Sequence, residues 1–286
     1  MRLLYILILA FVQGLAELLP VSSSAHVVVA EKLLGLDPSS PAMTLLLVML
    51  HTGTMFAVIV YFWSQWRDAY FQNMGAFKKF AGFVVVATAL TGLIGEAIIK
   101  IIEKTFFRSV AHAEIEDLFG HLELIAPALA LVGILILIAG VVEKRNPKRE
   151  ADALNVRQAG IIGAVQGLCL PFRGFSRSGA TISTGMLLGV AKARVEMFSF
   201  ALAVVLTPIV VAREVARVVH TEHRNGTAGL ASAVFPCLLG AVFAFLAGLL
   251  ALKWLSRWLE GGRWYLFGVY CLIAAAVVGY LHHLGY

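Results

Sequence analysis

Six long apolar stretches constrain the fold of this chain more than any other feature of its sequence. Each approaches the roughly 20 residues that a helix needs to cross a bilayer. Together they predict an all-α integral membrane protein. The stretches cover residues 42–63, 80–102, 122–142, 197–217, 230–252 and 264–284.

The composition supports this class and excludes others. Hydrophobic residues make up 60% of the chain and charged residues 14%, with a mean hydropathy of +0.86, whereas a soluble domain of this length carries more charge. The net charge of +6 comes from basic residues in short loops, where they set topology and meet anionic lipids. We therefore expect membrane lipids as partners and no nucleic acid.

Four shorter apolar pieces form two pairs, and a polar motif joins each pair. Short, Gly/Pro-broken apolar segments at corresponding places in two halves are typical of a binding site in the membrane. We predict two re-entrant helical hairpins, because backbone leaves the helix at membrane depth only where protein or a polar cavity satisfies it. The pieces are residues 3–19, 24–35, 158–170 and 179–190.

The two polar motifs resemble each other. One runs from Val12 to His26 and the other from Val165 to Thr181. Both begin Val-Gln-Gly-Leu, pass a proline, and end in hydroxyls beside a titratable or cationic group. Ionisable side chains at membrane depth are costly, so they are candidates for function. Their recurrence predicts one site built from both copies.

The spans between the hairpins predict the topology. Three spans separate the hairpins, so the hairpins enter from opposite faces and the halves are inverted repeats. We assign residues 1–142 and 158–286 to the repeats of one membrane domain, 1–286, and residues 143–157 to a charged cytoplasmic linker. The face with more Lys and Arg is predicted to be cytoplasmic, which places both termini outside.

The first motif can form an anion-binding helix start. Gln13 and Glu17 are four residues apart and share a helix face. Pro20 ends that helix, and the serines at 22–24 stand where N-cap residues are favoured. His26 then lies in the first turn of the next helix, beside free backbone amides that attract anions.

The second motif repeats this arrangement with more positive charge. Pro171 ends its first helix, and Gly174 and Gly179 permit tight backbone. Arg177 offers a planar fork of donors that suits phosphate oxygens, and Arg173 adds a second cation. The hydroxyls that can cap the next helix or donate hydrogen bonds belong to Ser176, Ser178 and Thr181.

The polar and charged side chains of the two motifs, taken together, suit a phosphorylated lipid headgroup. Glu17 can coordinate a divalent ion, and His26 or a serine can act as acid, base or nucleophile.

Other titratable and aromatic residues are interpreted as structural. We interpret His51 as a packing residue. His112, Glu116 and His121 have metal-like spacing but lie in a charged loop, which favours a solvated face. The tryptophans at 63, 66, 254, 258 and 264 stand at span ends, as interfacial anchors do.

At these motifs the chain resembles the bacitracin-resistance family of undecaprenyl-diphosphate phosphatases. That family carries Glu/Gln-x-x-x-Glu leading into Pro-Val-Ser-Ser-x-x-His, matched here by residues 13–17 and 20–26. It also carries Pro-Gly-x-Ser-Arg-Ser-x-x-Thr, matched here by residues 174–181. The similarity in length, duplication and order of segments covers essentially the whole chain. The family's fold has six spans and two re-entrant hairpins in inverted repeats.

The resemblance implies hydrolysis of undecaprenyl diphosphate to undecaprenyl phosphate with Mg²⁺ or Ca²⁺. This reaction recycles the lipid carrier for peptidoglycan and gives bacitracin resistance. The implied location is the bacterial cytoplasmic (inner) membrane, with the site open to the periplasmic face. A homodimer is compatible with the sequence. The rival hypothesis is a transporter or flippase for a polyprenyl phosphate or another anionic lipid, because inverted repeats with broken helices also suit alternating access.

The resemblance also implies residue roles. It gives catalytic roles to Glu17, Ser23, His26 and Arg177, with Glu17 also the metal ligand. Either Ser23, with His26 as its base, or His26 itself attacks phosphorus. The residues expected to bind substrate are Gln13, Ser22, Ser176, Ser178, Thr181 and Arg173.

Two departures from the family pattern are chain-specific. The first acidic position holds Gln13, so one candidate metal ligand lacks charge. In the second motif Phe172-Arg173 separates Pro171 from Gly174. We hypothesise that Arg173 partly substitutes for metal charge on the diphosphate.

Overall fold

The computed structural model describes residues 3–36, 41–106, 122–145, 153–225 and 230–285. Within these ranges the chain forms ten α-helices, which confirms the all-α prediction. The helices are α1 (Leu3–Leu18), α2 (Ser23–Leu33), α3 (Pro41–Tyr70), α4 (Met74–Phe106), α5 (Leu122–Arg145), α6 (Val156–Cys169), α7 (Arg177–Leu187), α8 (Lys192–Asn225), α9 (Leu230–Glu260) and α10 (Trp264–His283).

Six of the described helices are long and apolar enough to cross a membrane, which confirms the predicted number of spans. The chain is therefore a multi-pass membrane protein. The spans reach beyond the predicted apolar runs at several ends, because helices continue into the polar interface. The apolar spans are Met43–Tyr70, Met74–Ile102, Leu122–Arg145, Lys192–Arg213, Phe235–Glu260 and Trp264–His283.

The four short apolar pieces form the two predicted helix pairs, α1–α2 and α6–α7. Each pair packs internally, and each first helix also packs on a span of the other half of the chain: α1 on α9, and α6 on α4. This packing of each hairpin on a span of the other half is compatible with inverted repeats. The orientation of the halves in a membrane stays a prediction.

Glycines of the repeated Val-Gln-Gly motif allow these close contacts. A Cβ on Gly14 would lie 2.5 Å from the Ala247 Cβ, and one on Gly167 would lie 2.8 Å from the Thr91 carbonyl oxygen. Small residues let helix backbones approach closely inside membranes. The same tripeptide therefore presses each hairpin against a span.

The interpretation of the tryptophans as interfacial anchors is wrong for two of them. Trp66 and Trp264 are buried, and their Nε1 atoms donate to the Met197 carbonyl and to Ser183 Oγ. Internal acceptors satisfy these indoles, so they pack in the core. Trp63 and Trp254 are exposed, as anchors would be.

Two further interpretations concern the loops. The ends of the predicted 143–157 linker are helical, since α5 runs to Arg145 and α6 begins at Val156. Glu143 Oε1 accepts a hydrogen bond of 2.6 Å from Lys192 Nζ, which ties the linker to the start of α8. The possible metal group of His112, Glu116 and His121 lies outside the described residues.

Candidate functional site

The bend of the first hairpin forms as the sequence predicts. α1 ends at Leu18, just before Pro20, and Ser22 is the N-cap of α2. The Ser22 Oγ accepts from the backbone N–H of Ala25 at 3.4 Å. Ser22 has a φ of 68°, a left-handed conformation that is uncommon outside glycine. Strained backbone of this kind clusters at functional sites.

The bend of the second hairpin depends on glycine. Gly174 has a φ of 102°, and a Cβ there would lie 2.6 Å from the Ile125 carbonyl oxygen of α5. Ser176 is the N-cap of α7, and its Oγ accepts from the Gly179 N–H at 3.2 Å. The predicted roles of Gly174 and of a capping serine are confirmed.

The tips of the two hairpins are joined directly. Ser24 Oγ accepts from the Gly174 N–H at 3.4 Å, and Ser178 Oγ donates to the Leu19 carbonyl at 3.2 Å. These bonds bring the N-termini of α2 and α7 to one place. Helix N-termini carry free N–H groups and partial positive charge, so this junction can bind an anion.

Glu17 is the centre of the junction. Its Oε1 accepts from Arg177 Nη2 at 3.0 Å. Its Oε2 accepts from Ser23 Oγ at 2.5 Å and from Gln13 Nε2 at 3.2 Å. The prediction that Gln13 and Glu17 share a face is confirmed. Residues from both hairpins thus meet on one carboxylate.

Arg177 retains an unused donor beside this carboxylate. Its side chain is 20% exposed, and its Nη1 is buried with no hydrogen-bond partner. Buried donors are nearly always satisfied, so this one is available to an acceptor on a bound ligand. A phosphate oxygen is suitable, because guanidinium groups bind phosphate with paired, charge-assisted bonds.

His26 points toward α10. Its Nδ1 donates to the Ser22 carbonyl at 2.7 Å, and its Nε2 lies 2.7 Å from Tyr270 Oη. The two rings are stacked, with centroids 5.6 Å apart. Within the described part of the chain no hydrogen bond joins Ser23 to His26. The contact that the structure gives to the Ser23 hydroxyl is with Glu17.

The other predicted substrate-binding hydroxyls mainly support the junction. Thr181 Oγ1 donates to the Arg177 carbonyl at 2.8 Å and lies 2.6 Å from Ser199 Oγ, fully buried behind the site. Ser176 and Ser178 are also buried, with their Oγ atoms 3.4 Å apart. These side chains cap and connect helices, and so fix the position of Arg177.

Arg173 lies at the same junction, next to α2. Its neighbour Gly174 donates to Ser24, and Arg173 attracts the carboxylate of Glu31 electrostatically. Glu31 lies two turns beyond Ser24 on the same helix face and is fully buried. Arg173, which departs from the family pattern, therefore lies between the two hairpins.

Sequence reasoning missed His51 of α3. Its Nε2 lies 3.7 Å from Glu17 Oε2, and its Nδ1 donates to the Leu47 carbonyl at 2.8 Å. The rule that an ionisable residue inside a span is a functional candidate would have found it. By contrast, Gln166, the counterpart of Gln13, is buried and donates to Thr91 Oγ1 at 3.1 Å in the α4–α6 packing.

The oxygen donors at the junction fit a divalent ion only if the substrate supplies further ligands. No group of three His, Cys, Asp or Glu side chains that could hold a metal occurs among the residues that the structure describes. Glu17 offers a carboxylate, whose Oε2 accepts from the Gln13 amide N–H and from the Ser23 hydroxyl. Mg²⁺ is commonly held by one or two carboxylates plus substrate phosphates, which matches this set.

Comparison with known proteins gives consistent results over almost the full chain. The family model described as "Bacitracin resistance protein BacA" matches residues 6–277, which include both hairpins. "Undecaprenyl-diphosphatase 2" of Acinetobacter baylyi is 57% identical over 281 residues, covering 97% of each chain. "Undecaprenyl-diphosphatase 1" of Burkholderia pseudomallei is 32% identical over 288 residues, covering 96% of this chain and 95% of the relative.

Proposed function

The chain belongs to the bacitracin resistance protein BacA family, and we propose from this premise that its joined hairpins hydrolyse undecaprenyl diphosphate. The products are undecaprenyl phosphate and inorganic phosphate. The reaction returns the lipid carrier to peptidoglycan synthesis and gives resistance to bacitracin. Nothing in the described geometry favours the transporter alternative.

The observation that carries this function is the unpartnered Nη1 of Arg177 beside Glu17. Glu17 holds the guanidinium in place through Nη2, which leaves Nη1 for a phosphate oxygen. The N-termini of α2 and α7 add backbone donors at the same junction. Preorganised donors of this kind stabilise the charge that develops on a transferred phosphoryl group.

We assign the attack on the terminal phosphorus to Ser23. Its hydroxyl donates to Glu17 Oε2, which places a proton acceptor at the nucleophile. As the bond from Ser23 Oγ to phosphorus forms, the bond from phosphorus to the bridging oxygen breaks, and the hydroxyl proton passes to Glu17. Undecaprenyl phosphate leaves, and water then releases inorganic phosphate from the serine.

His26 is less suited to attack than Ser23. Both of its ring nitrogens have partners, the Ser22 carbonyl and the Tyr270 hydroxyl. This arrangement holds the imidazole at the first turn of α2, where it can orient the headgroup. An attack by His26 would first require the Tyr270 bond to break.

A divalent ion, Mg²⁺ or Ca²⁺, would be held by Glu17 together with oxygens of the diphosphate. Such an ion neutralises phosphate charge and draws electrons from phosphorus. The donors of this chain alone are too few for a closed cage, so the ion is expected to arrive with the substrate.

The location follows from the lipid substrate and the predicted topology. We place the protein in the bacterial inner membrane, with the junction open to the periplasmic face. The exposed apolar surfaces of the spans would then contact lipid, and the prenyl chain would remain in the bilayer while the diphosphate enters the junction.

Phosphate release by purified protein in detergent tests this function. Wild-type protein should release inorganic phosphate from undecaprenyl diphosphate, and Glu17→Gln, which keeps the side-chain shape, should release almost none. Glu96→Gln is the matched control, because Glu96 is an exposed carboxylate that pairs with the exposed Lys100 at 3.4 Å. A wild-type protein that binds the lipid without releasing phosphate would support the carrier instead.

A further inference from the structure

Tyr270 of α10 completes the hydrogen bonding of the His26 ring. The Ser22 carbonyl can only accept, so the Nδ1 atom of His26 that contacts it at 2.7 Å carries a proton. In the part of the chain that the structure describes, no carboxylate acts on His26 to favour a second ring proton. The other ring nitrogen, Nε2, then accepts, and the Tyr270 hydroxyl donates to it at 2.7 Å. Tyr270 therefore favours the tautomer in which Nδ1 keeps its proton.

α10 contacts the bend of the first hairpin at a second, adjacent residue. Cys271 is fully buried, and its Sγ donates to the Pro20 carbonyl at 3.3 Å. The Tyr270 and His26 rings are stacked, with 14° between their planes. Apolar residues of α2, α5 and α10 also form one core cluster. Tertiary packing thus sets the position of Tyr270, and α10 holds the bend at Pro20 and at His26.

The Ser22 carbonyl is the group through which these contacts reach the site. It accepts from His26 Nδ1 and, at 3.3 Å, from the His26 backbone N–H. This carbonyl belongs to the planar peptide unit that joins Ser22 to Ser23. Ser22 has a φ of 68°, and backbone of this kind persists only where its surroundings hold it. The orientation of the peptide unit determines where Ser23 begins, and the Ser23 hydroxyl donates to Glu17.

We propose that Tyr270 is a positioning residue for the hydrolysis. Its hydroxyl fixes the His26 ring, and the ring holds the Ser22 carbonyl. The peptide unit held in this way directs the Ser23 hydroxyl toward the terminal phosphorus. In this role Tyr270 acts through His26 and does not itself contact the phosphate. The inference rests on the proposed function, which makes Ser23 the nucleophile.

Nuclear magnetic resonance of protein with ¹⁵N-labelled histidine rings, in detergent, tests the contact without turnover. The chain has eight histidines, so a His26→Gln sample identifies the His26 resonances. Wild-type protein should show one tautomer, with the proton on Nδ1. Tyr270→Phe keeps the stacked ring but removes the donor, so it should shift the Nε2 resonance and populate the second tautomer. Tyr280→Phe, at an exposed tyrosine of the same helix, should leave the His26 resonances unchanged.

The kinetics of phosphate release test the consequence for the reaction. Tyr270→Phe should lower kcat by about 10- to 100-fold, because a misplaced nucleophile slows the chemical step. The KM should change by less than about threefold, since the substrate loses no direct contact. Tyr280→Phe should retain the wild-type kcat.

The results separate this inference from the function on which it rests. Unchanged His26 resonances in Tyr270→Phe, or an unchanged kcat, would overturn the inference. An equal loss of kcat in Tyr280→Phe would also overturn it, because the effect would then not depend on the bond to His26. Wild-type protein that releases no phosphate would remove the proposed function, and the resonances would still report on the Tyr270 contact.

Discussion

The two hairpins share a scaffold and differ in the side chains to which we assign the chemistry. Both begin Val-Gln-Gly-Leu, bend near a proline, and restart at a serine N-cap, Ser22 or Ser176. The residue after each cap differs: the first hairpin places Ser23 there, and the second places Arg177. Four residues after the shared glutamine, Glu17 stands in one copy and Leu170 in the other.

This difference shows how a duplicated segment becomes a single site. The shared residues determine backbone shape and packing against a span, and the divergent ones meet at the junction. The first hairpin supplies a carboxylate and a hydroxyl, and the second supplies a cation. Neither copy alone has both the proposed nucleophile and the cation proposed to bind phosphate.

The largest effect is expected when Arg177, the residue after the second cap, is replaced by serine, the residue that follows the first cap. Arg177→Ser removes the proposed phosphate donor and the guanidinium that pairs with Glu17 Oε1, so kcat/KM should fall by about 10³-fold or more, as for other arginines in phosphoryl transfer. Phosphate release from undecaprenyl diphosphate measures it. The exposed Arg157→Ser of α6 is the control and should retain activity. A loss below tenfold would show that Arg177 is not the phosphate donor.

The serine after the first cap is the next test. Ser23→Ala removes the hydroxyl bonded to Glu17 and should lower kcat by about 10²- to 10⁴-fold. Ser24→Ala removes a bond of 3.4 Å to Gly174 and should change kcat by less than about tenfold. Rapid-quench trapping of a phosphoserine on Ser23 would add direct evidence. Equal effects of the two changes would contradict the assignment of Ser23 as nucleophile.

Alanine substitution of Gly174 tests how closely the bend of the second hairpin packs against α5. Gly174→Ala forces a side chain into a left-handed conformation and against the Ile125 carbonyl, at a cost of about 1–3 kcal/mol. Gly35→Ala shares the positive φ but has open space around it, so it should cost about 1 kcal/mol. Thermal unfolding in detergent compares them. If both variants melt at the same temperature, the close contact with α5 does not constrain the second hairpin.

Arg173 should give the smallest effect. If it partly substitutes for metal charge, Arg173→Ala should retain most of the maximal activity but require several-fold more divalent ion. The titration of activity against Mg²⁺ measures this shift, with Lys32→Ala on α2 as a surface control. Unchanged activity and unchanged metal dependence would remove the hypothesis.

The sequence was sufficient for the fold and for the bends and helix caps of the two hairpins. Apolar length predicted the spans, and proline, glycine and serine placed the bends and caps, because these signals act over a few residues. Contacts between individual residues that are distant in sequence were harder to predict. The direction of His26 toward Tyr270 depends on where α10 packs, and the place of His51 beside Glu17 depends on how α3 meets α1. Likewise, one glutamine of the repeated tripeptide enters the site and the other packs against Thr91.

The central claim is that Glu17 of one hairpin and Arg177 of the other act as one unit, and a double-mutant cycle tests it most directly. Phosphate release from undecaprenyl diphosphate would be measured for Glu17→Gln, Arg177→Gln and the double variant. Residues that act together are strongly non-additive. The double variant is therefore predicted to be about as active as the weaker single variant. Losses that multiply in the double variant would contradict a site shared by the two hairpins.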